Sequence, residues 1–292
     1  MTLFPGFEPR WFDVGEVVIH GVVGGSGPPL LLLHGYPQTH AMWHRIAGAL
    51  AERFTVVATD LRGYGASGKP DGPPDHSAYS KRVMAEDQVR VMASLGFDRF
   101  KVVGHDRGAR VAHRMVLDHE ARIDRWAVLD VVPTRTMYQQ TDRRFAEAYY
   151  HWFFLIQPAP FPERLIGADP DFFVTRHLGS RHAGLAAFDP VALAQYRSAF
   201  RSPAVIHASC EDYRAAATID LEHDEIDLDH RIRSPLMVLW GAHGVVGACF
   251  KPLDDWRQRV VSVSGRAIEC GHYLAEEAPG ETLAELLPFL TS

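Results

Sequence analysis

Cysteine is scarce: Cys210, Cys249 and Cys270 are the only three in 292 residues, and their spacing pairs none of them. Thiols so few and scattered do not make a disulfide framework and fit a reducing, cytoplasmic setting. Basic runs are missing too. With Lys+Arg at 30, Asp+Glu at 36 and a net charge of −6, nucleic acid is not expected as the main partner. No apolar stretch approaches the roughly eighteen residues of a membrane span. Residues 1–11 lack the charged start and apolar run of a signal peptide, so neither a leader nor a membrane partner is expected. The chain has no internal repeat and no low-complexity tract. No H-E-x-x-H or comparable pair draws its 16 histidines into a metal site, and neither a metal nor an organic cofactor is expected.

What is present is an alternation of strand and helix patterns. At 47% hydrophobic, the chain has material for one large α/β domain with an insertion, or for two ordinary domains. Residues 14–24 alternate weakly and run into a Gly/Pro turn. Leu30-Leu31-Leu32-Leu33 is a continuous apolar run, the mark of a parallel strand buried on both faces. Helical periodicity over 42–53, a strand over 54–58, a helix over 79–95 and a strand over 126–132 follow. From 134 to 233 strand signals vanish, while aromatics and prolines crowd short helical segments; strands return at 236–240 and 260–268, and a helix closes the chain at 282–290. These patterns predict a mostly parallel sheet covered by helices on both faces. The expected division is a core over 1–133 and 234–292 with a helical lid over 134–233.

Between two of those elements, the β-rich run from Phe100 passes through Gly104-x-Asp106-x-Gly108 straight into an apolar-periodic helix. Strand, tight turn and helix form the setting of a nucleophile elbow, in which the central side chain projects above the strand end. Serine usually holds that place. A carboxylate there attacks carbon and forms an ester, so Asp106 points to alkyl transfer. The competing reading makes Asp106 a helix cap. An ester must be hydrolysed, and Gly271-His272-Tyr273 follows the final strand, where the elbow predicts the base. Gly241-Ala242-His243-Gly244 offers no carboxylate to orient it, which leaves Asp130 near the end of the preceding strand, with Asp254 and Asp255 as alternatives. The oxyanion hole would come from the backbone N–H groups of Tyr36 and Arg107.

Two further patterns read as bland. Gly63-x-Gly65-x-x-Gly68 matches a dinucleotide fingerprint and Gly68-Lys69 the end of a phosphate loop, but Pro70 stands where Ser or Thr is needed and no helix opens there. The acidic run from Glu222 to His230 lacks metal-ligand spacing and reads as a solvated connector.

His34-Gly35-Tyr36-Pro37, Asp60-x-Arg62-Gly63-x-Gly65-x-Ser67 and the aspartate elbow resemble the α/β-hydrolase superfamily, nearly end to end. Asp106-Arg107-Gly108-Ala109-Arg110, His151-Trp152 and Cys210-Glu211-Asp212-Tyr213-Arg214 resemble, within it, the fluoroacetate (haloacetate) dehalogenases. Haloalkane dehalogenases and epoxide hydrolases usually carry Trp where this chain has Arg107. Tyr36 stands where Phe is common, which bears on pocket shape. The resemblance implies a haloacid as small-molecule partner and a homodimer.

Arg107 and Arg110, i and i+3 on the first helical turn beside the positive end of the helix dipole, suit a small carboxylate. A salt bridge to Asp106 or a solvated face is the plain alternative. His151, Trp152 and Tyr213 are the expected donors to a departing halide. The expected activity is hydrolysis of haloacetate, fluoroacetate included, to glycolate and halide. An epoxide hydrolase is the runner-up, and a non-catalytic ligand receptor on the same fold a third reading.

Overall fold

A computed structural model describes residues 2–292 of the chain. Its strands are β1 (Phe7–Asp13), β2 (Val18–Gly24), β3 (Pro29–Leu33), β4 (Thr55–Thr59), β5 (Phe100–His105), β6 (Ile123–Leu129), β7 (Leu236–Gly241) and β8 (Val263–Ile268). They make one eight-stranded sheet in the order β1-β2-β4-β3-β5-β6-β7-β8. β2 pairs antiparallel with β1 and β4, and every pairing from β4 to β8 is parallel. Leu30 to Leu33 are wholly buried because helices cover both faces. The α/β class is therefore as the sequence implies.

The helices of the first half are α1 (His44–Ala51), α2 (Lys81–Ser94) and α3 (Arg107–His119). Between β6 and β7 come only helices and turns: α4 (Thr134–Gln139), α5 (Arg143–Ala148), α6 (Tyr150–Leu155), α7 (Phe161–Ala168), α8 (Pro170–Gly179), α9 (Pro190–Phe200), α10 (Pro203–Ala217) and α11 (Ile219–Ile226). After β7 follow α12 (Val245–Cys249), α13 (Pro252–Arg257), α14 (Leu274–Glu277) and α15 (Pro279–Thr291). The hydrophobic core is continuous across both parts, running from Ile19 and Leu32 to Phe145, Trp152 and Tyr213 between β6 and β7. No helix among the described residues is long and apolar enough to cross a membrane.

Three strand expectations need correction. β1 was missing from the sequence reading because it is an edge strand: Glu8 to Trp11 are exposed, and only Phe12 is buried. β6 ends at Leu129, one residue before Asp130, whose φ of 53° takes it out of the strand. β8 begins at Val263, and Val260 instead makes an isolated bridge with Ile232.

Parallel pairing aligns the carboxyl ends of five strands. Leu33 lies opposite Gly104, His105 opposite Leu129, Leu129 opposite Leu239, and Gly241 opposite Ile268. The residues that follow these ends, among them His34, Asp106, Asp130 and His272, therefore gather along one edge of the sheet, where open α/β sheets bind ligands.

Candidate active site

The turn from β5 into α3 is as tight as its glycines suggest. A Cβ on Gly108 would come 2.3 Å from Leu33 O, and one on Gly104 would come 2.6 Å from the Ala109 backbone. Close approach of α3 to β3 and β5 thus requires both. The unusual backbone falls on Asp106 itself, at φ 47° and ψ −112°, a conformation that costs a non-glycine residue about 1–3 kcal/mol. Its carboxylate makes no capping bond to α3. Instead Oδ1 accepts the N–H of Tyr36 at 2.9 Å. Burial would raise the Asp106 pKa, but its neighbours His272, His105, Arg110 and Arg107 outweigh it and hold the group at about 2. Asp106 is a buried, ionised carboxylate rather than a cap.

Asp130 is the acid that meets the histidine. His272 Nδ1 lies 2.6 Å from Asp130 Oδ2, while Oδ1 accepts the N–H of Gly241 at 3.0 Å. That pairing puts a proton on Nδ1 and leaves a lone pair at Nε2. The alternatives are occupied elsewhere: Asp254 pairs with Arg257 at 3.0 Å, and Asp255 accepts the N–H of Lys251 at 3.0 Å. His105, beside the nucleophile, donates Nε2–H to the carbonyl of His272 at 2.9 Å and so ties the two loops together. Burial pushes its pKa down to about 3, so it is neutral. Of the two expected oxyanion donors, Tyr36 is placed against the Asp106 carboxylate, and Arg107 opens α3.

The two arginines are buried beside the nucleophile, but neither pairs with Asp106. Arg107 is held by Asp212 of α10, Nε to Oδ2 at 2.9 Å and Nη2 to Oδ1 at 2.7 Å, and its guanidinium lies 4.1 Å from the Tyr213 ring centre. Asp212 also takes the ammonium of Lys81 and, at 2.7 Å, the hydroxyl of Tyr64. Arg110 Nη1 donates to Thr134 Oγ1 at 2.9 Å, and its guanidinium stacks 4.6 Å from the Trp152 ring centre. One nitrogen of each remains without a partner, Nη1 of Arg107 and Nε of Arg110. All three expected halide donors share that state: His151 Nδ1, Trp152 Nε1 and the Tyr213 hydroxyl are buried and unpaired. They are neighbours, with Tyr213 ring centres 5.8 Å from His151 and 6.2 Å from Trp152. Burial, with His177 next, holds His151 well below the usual imidazole pKa, so its ring is neutral.

A family model described as the alpha/beta hydrolase fold matches residues 28–279. The chain belongs to the α/β-hydrolase family. This hydrolase is 49% identical to a fluoroacetate dehalogenase from Burkholderia sp over 290 residues, 99% of this chain and 95% of that protein. It is 32% identical to a soluble epoxide hydrolase from Corynebacterium sp. (strain C12), over 93% of each chain. A crystal structure of a Nostoc sp PCC 7120 protein described as an α/β hydrolase superposes with a TM-score of 0.96, at 57% identity, covering 98% of both chains.

The bland patterns of the hydrolase remain bland. The loop through Gly63 and Gly65 wraps the Asp60 carboxylate, which accepts the N–H groups of His40 and Ala66. Along the acidic run, Glu225 pairs with Arg135 at 2.9 Å and Asp227 with Arg114 at 2.6 Å. Sequence reasoning missed Asp212, which holds both Arg107 and Lys81, the buried His177 against His151, and Arg181 near Tyr149. Asp212 carried a signal: α10 sets two adjacent acids, Glu211 and Asp212, against one arginine, Arg214, so a further cation is expected from outside the helix.

Proposed function

We propose that this hydrolase converts haloacetate, fluoroacetate included, to glycolate and halide. The carrying observation is the set of five buried, unpaired nitrogens and oxygens beside Asp106: two on Arg107 and Arg110, three on His151, Trp152 and Tyr213. Buried polar groups are rarely left unsatisfied without a ligand to complete them. Two guanidinium N–H groups suit the substrate carboxylate, and three neutral donors suit a halide as charge develops on it.

In the first step an Asp106 oxygen attacks the α-carbon while the carbon–halogen electron pair leaves with the halide. The product is a carboxymethyl ester on Asp106. In the second step His272 Nε2 takes a proton from water, and the hydroxide attacks the Asp106 carbonyl carbon. The Tyr36 N–H, already on Oδ1, steadies the oxyanion; on collapse the leaving alkoxide takes the proton from His272 and departs as glycolate, and the acid formed on Asp106 loses its proton to solvent to restore the carboxylate. Asp130 stabilises the imidazolium formed meanwhile. The Burkholderia relative supports this reading by its name. The Corynebacterium relative keeps epoxide opening as a second reading, with Tyr213 as proton donor, but a neutral epoxide gives two buried cations nothing to bind.

The test is intact-mass measurement of wild type, Asp106→Ala and His272→Ala after exposure to chloroacetate, with halide and glycolate assayed in parallel. His272→Ala should gain one carboxymethyl group and Asp106→Ala none. Diol formation from an epoxide panel with no halide release from haloacetates would reverse the two readings.

A further inference from the structure

The buried donors around Asp106 do not themselves touch solvent, so a haloacid anion must reach them through some opening. A cavity of about 320 Å3 lies between α5, the turn after α8 and the loops after β7 and β8. His272 and Tyr149 form part of its wall, and both also face the inner site: their rings lie 6.3 Å apart, and Tyr149 is 5.2 Å from His151. The remaining lining is rich in cationic side chains. Arg176 and Arg181 stand there with Glu147 as the lining carboxylate, and Glu147 is already engaged by Arg143 at 2.6 Å.

Arg181 differs from most of the chain's sequestered arginines. Arg62, Arg107 and Arg214 each hold a carboxylate oxygen at 2.7 Å. Arg181 holds none: its Nη1 reaches only the Ala148 carbonyl, at 3.5 Å, and its buried Nε bonds nothing. The guanidinium instead lies over Tyr149, 4.7 Å from the ring centre. A planar cation pinned on an aromatic face, with an unspent N–H edge, is a ready fork for a carboxylate. The site has what an outer anion station needs: a solvent-connected cavity, a guanidinium with no carboxylate in ion-pair contact, and a wall shared with His272.

We propose that Arg181 is the centre of an outer carboxylate subsite, where the haloacid anion docks before it passes Tyr149 to Arg107 and Arg110. This rests on the haloacetate reading above. The ligand class is the small monocarboxylate, recognised by charge-assisted hydrogen bonding at the cavity and gathered from solution by a focused positive field. Such a subsite acts on arrival and leaves the chemistry at Asp106 alone. It therefore matters most for a substrate that reacts soon after arrival. Chloroacetate, with the better leaving group, should feel its loss more than fluoroacetate, whose slow bond cleavage lets the anion equilibrate first.

The experiment compares wild type, Arg181→Gln and Arg181→Lys in steady-state kinetics on chloroacetate and fluoroacetate across a range of ionic strength. For Arg181→Gln, kcat/KM on chloroacetate should fall about tenfold at low salt while kcat stays within about twofold. The loss should shrink as salt rises, be smaller on fluoroacetate, and be largely restored in Arg181→Lys. An Arg181→Gln enzyme with wild-type kcat/KM and salt dependence overturns the outer subsite. So does one that loses kcat as much as kcat/KM, since that marks damage to the chemical step. If wild type releases no halide from either acid, the haloacetate reading falls and takes the subsite with it; an active wild type with an unaffected variant removes the subsite alone.

Discussion

Arg107 and Arg110 sit one helical turn apart, equally buried, yet the fold treats them in opposite ways. Arg107 is locked in a two-pronged ion pair with Asp212, and that pairing outweighs burial and raises its pKa well above the usual value. Arg110 has a hydroxyl, a carbonyl, a thioether and the Trp152 ring for company, and burial followed by the Arg107 charge pushes its pKa down. One cation is fixed in place by a carboxylate; the other has no carboxylate partner. On the haloacetate reading, the first would supply position and the second attraction.

Breaking the ion pair should have the larger effect. Asp212→Asn leaves Arg107 without its buried counter-charge and Lys81 with only the longer contact to Asp220, 3.3 Å away. A loss of about 3–5 kcal/mol of stability is expected, read by chemical denaturation. Its catalytic defect should survive at temperatures where the variant is still folded, because the fork is no longer aimed. Removing the free charge should do the reverse. Arg110→Gln takes a costly charge out of the interior, so stability should stay within about 1 kcal/mol, while kcat/KM on haloacetate falls by about 2–4 kcal/mol in transition-state terms. Matching stability losses in the two variants would dissolve the contrast.

Glu276 extends the contrast to acids. It is buried against Gln38 and Tyr196, and burial raises its pKa from 4.5 to about 8, so it escapes isolation by keeping its proton. The folded state then binds a proton that the unfolded chain releases near pH 4.5. That stabilisation is full below about 4.5 and is lost as pH rises towards and through about 8. Thermal melts of wild type and Glu276→Gln should agree at pH 4 and diverge at higher pH, by at most about 1.4 kcal/mol per pH unit, levelling off above 8. Parallel curves would show that the carboxyl is ionised at neutral pH.

The core was legible because its signals are local. Four leucines in a row fix a doubly covered strand, and two glycines around Asp106 mark a close approach of helix to sheet. His272 and Asp130 followed from strand order, since parallel strands bring their ends to one edge. The residues between β6 and β7 were legible only as helix and as donors. Asp212 meets Arg107 across 105 positions of sequence, and no spacing rule reaches that far. The orientation of Asp130, at a φ of 53°, was equally hidden, because glycine and not aspartate is the expected sign of such a turn.

The Asp212–Arg107 bond spans two separately folded stretches, one on α10 and one on α3. Lifting α10 would tear a carboxylate from two buried cations at once, and the shared hydrophobic core would part along with it. Lifting α10 would therefore be costly. On the haloacetate reading, an acid would have to reach Asp106 without that motion, so 2-haloacids bulkier than haloacetate should turn over more slowly.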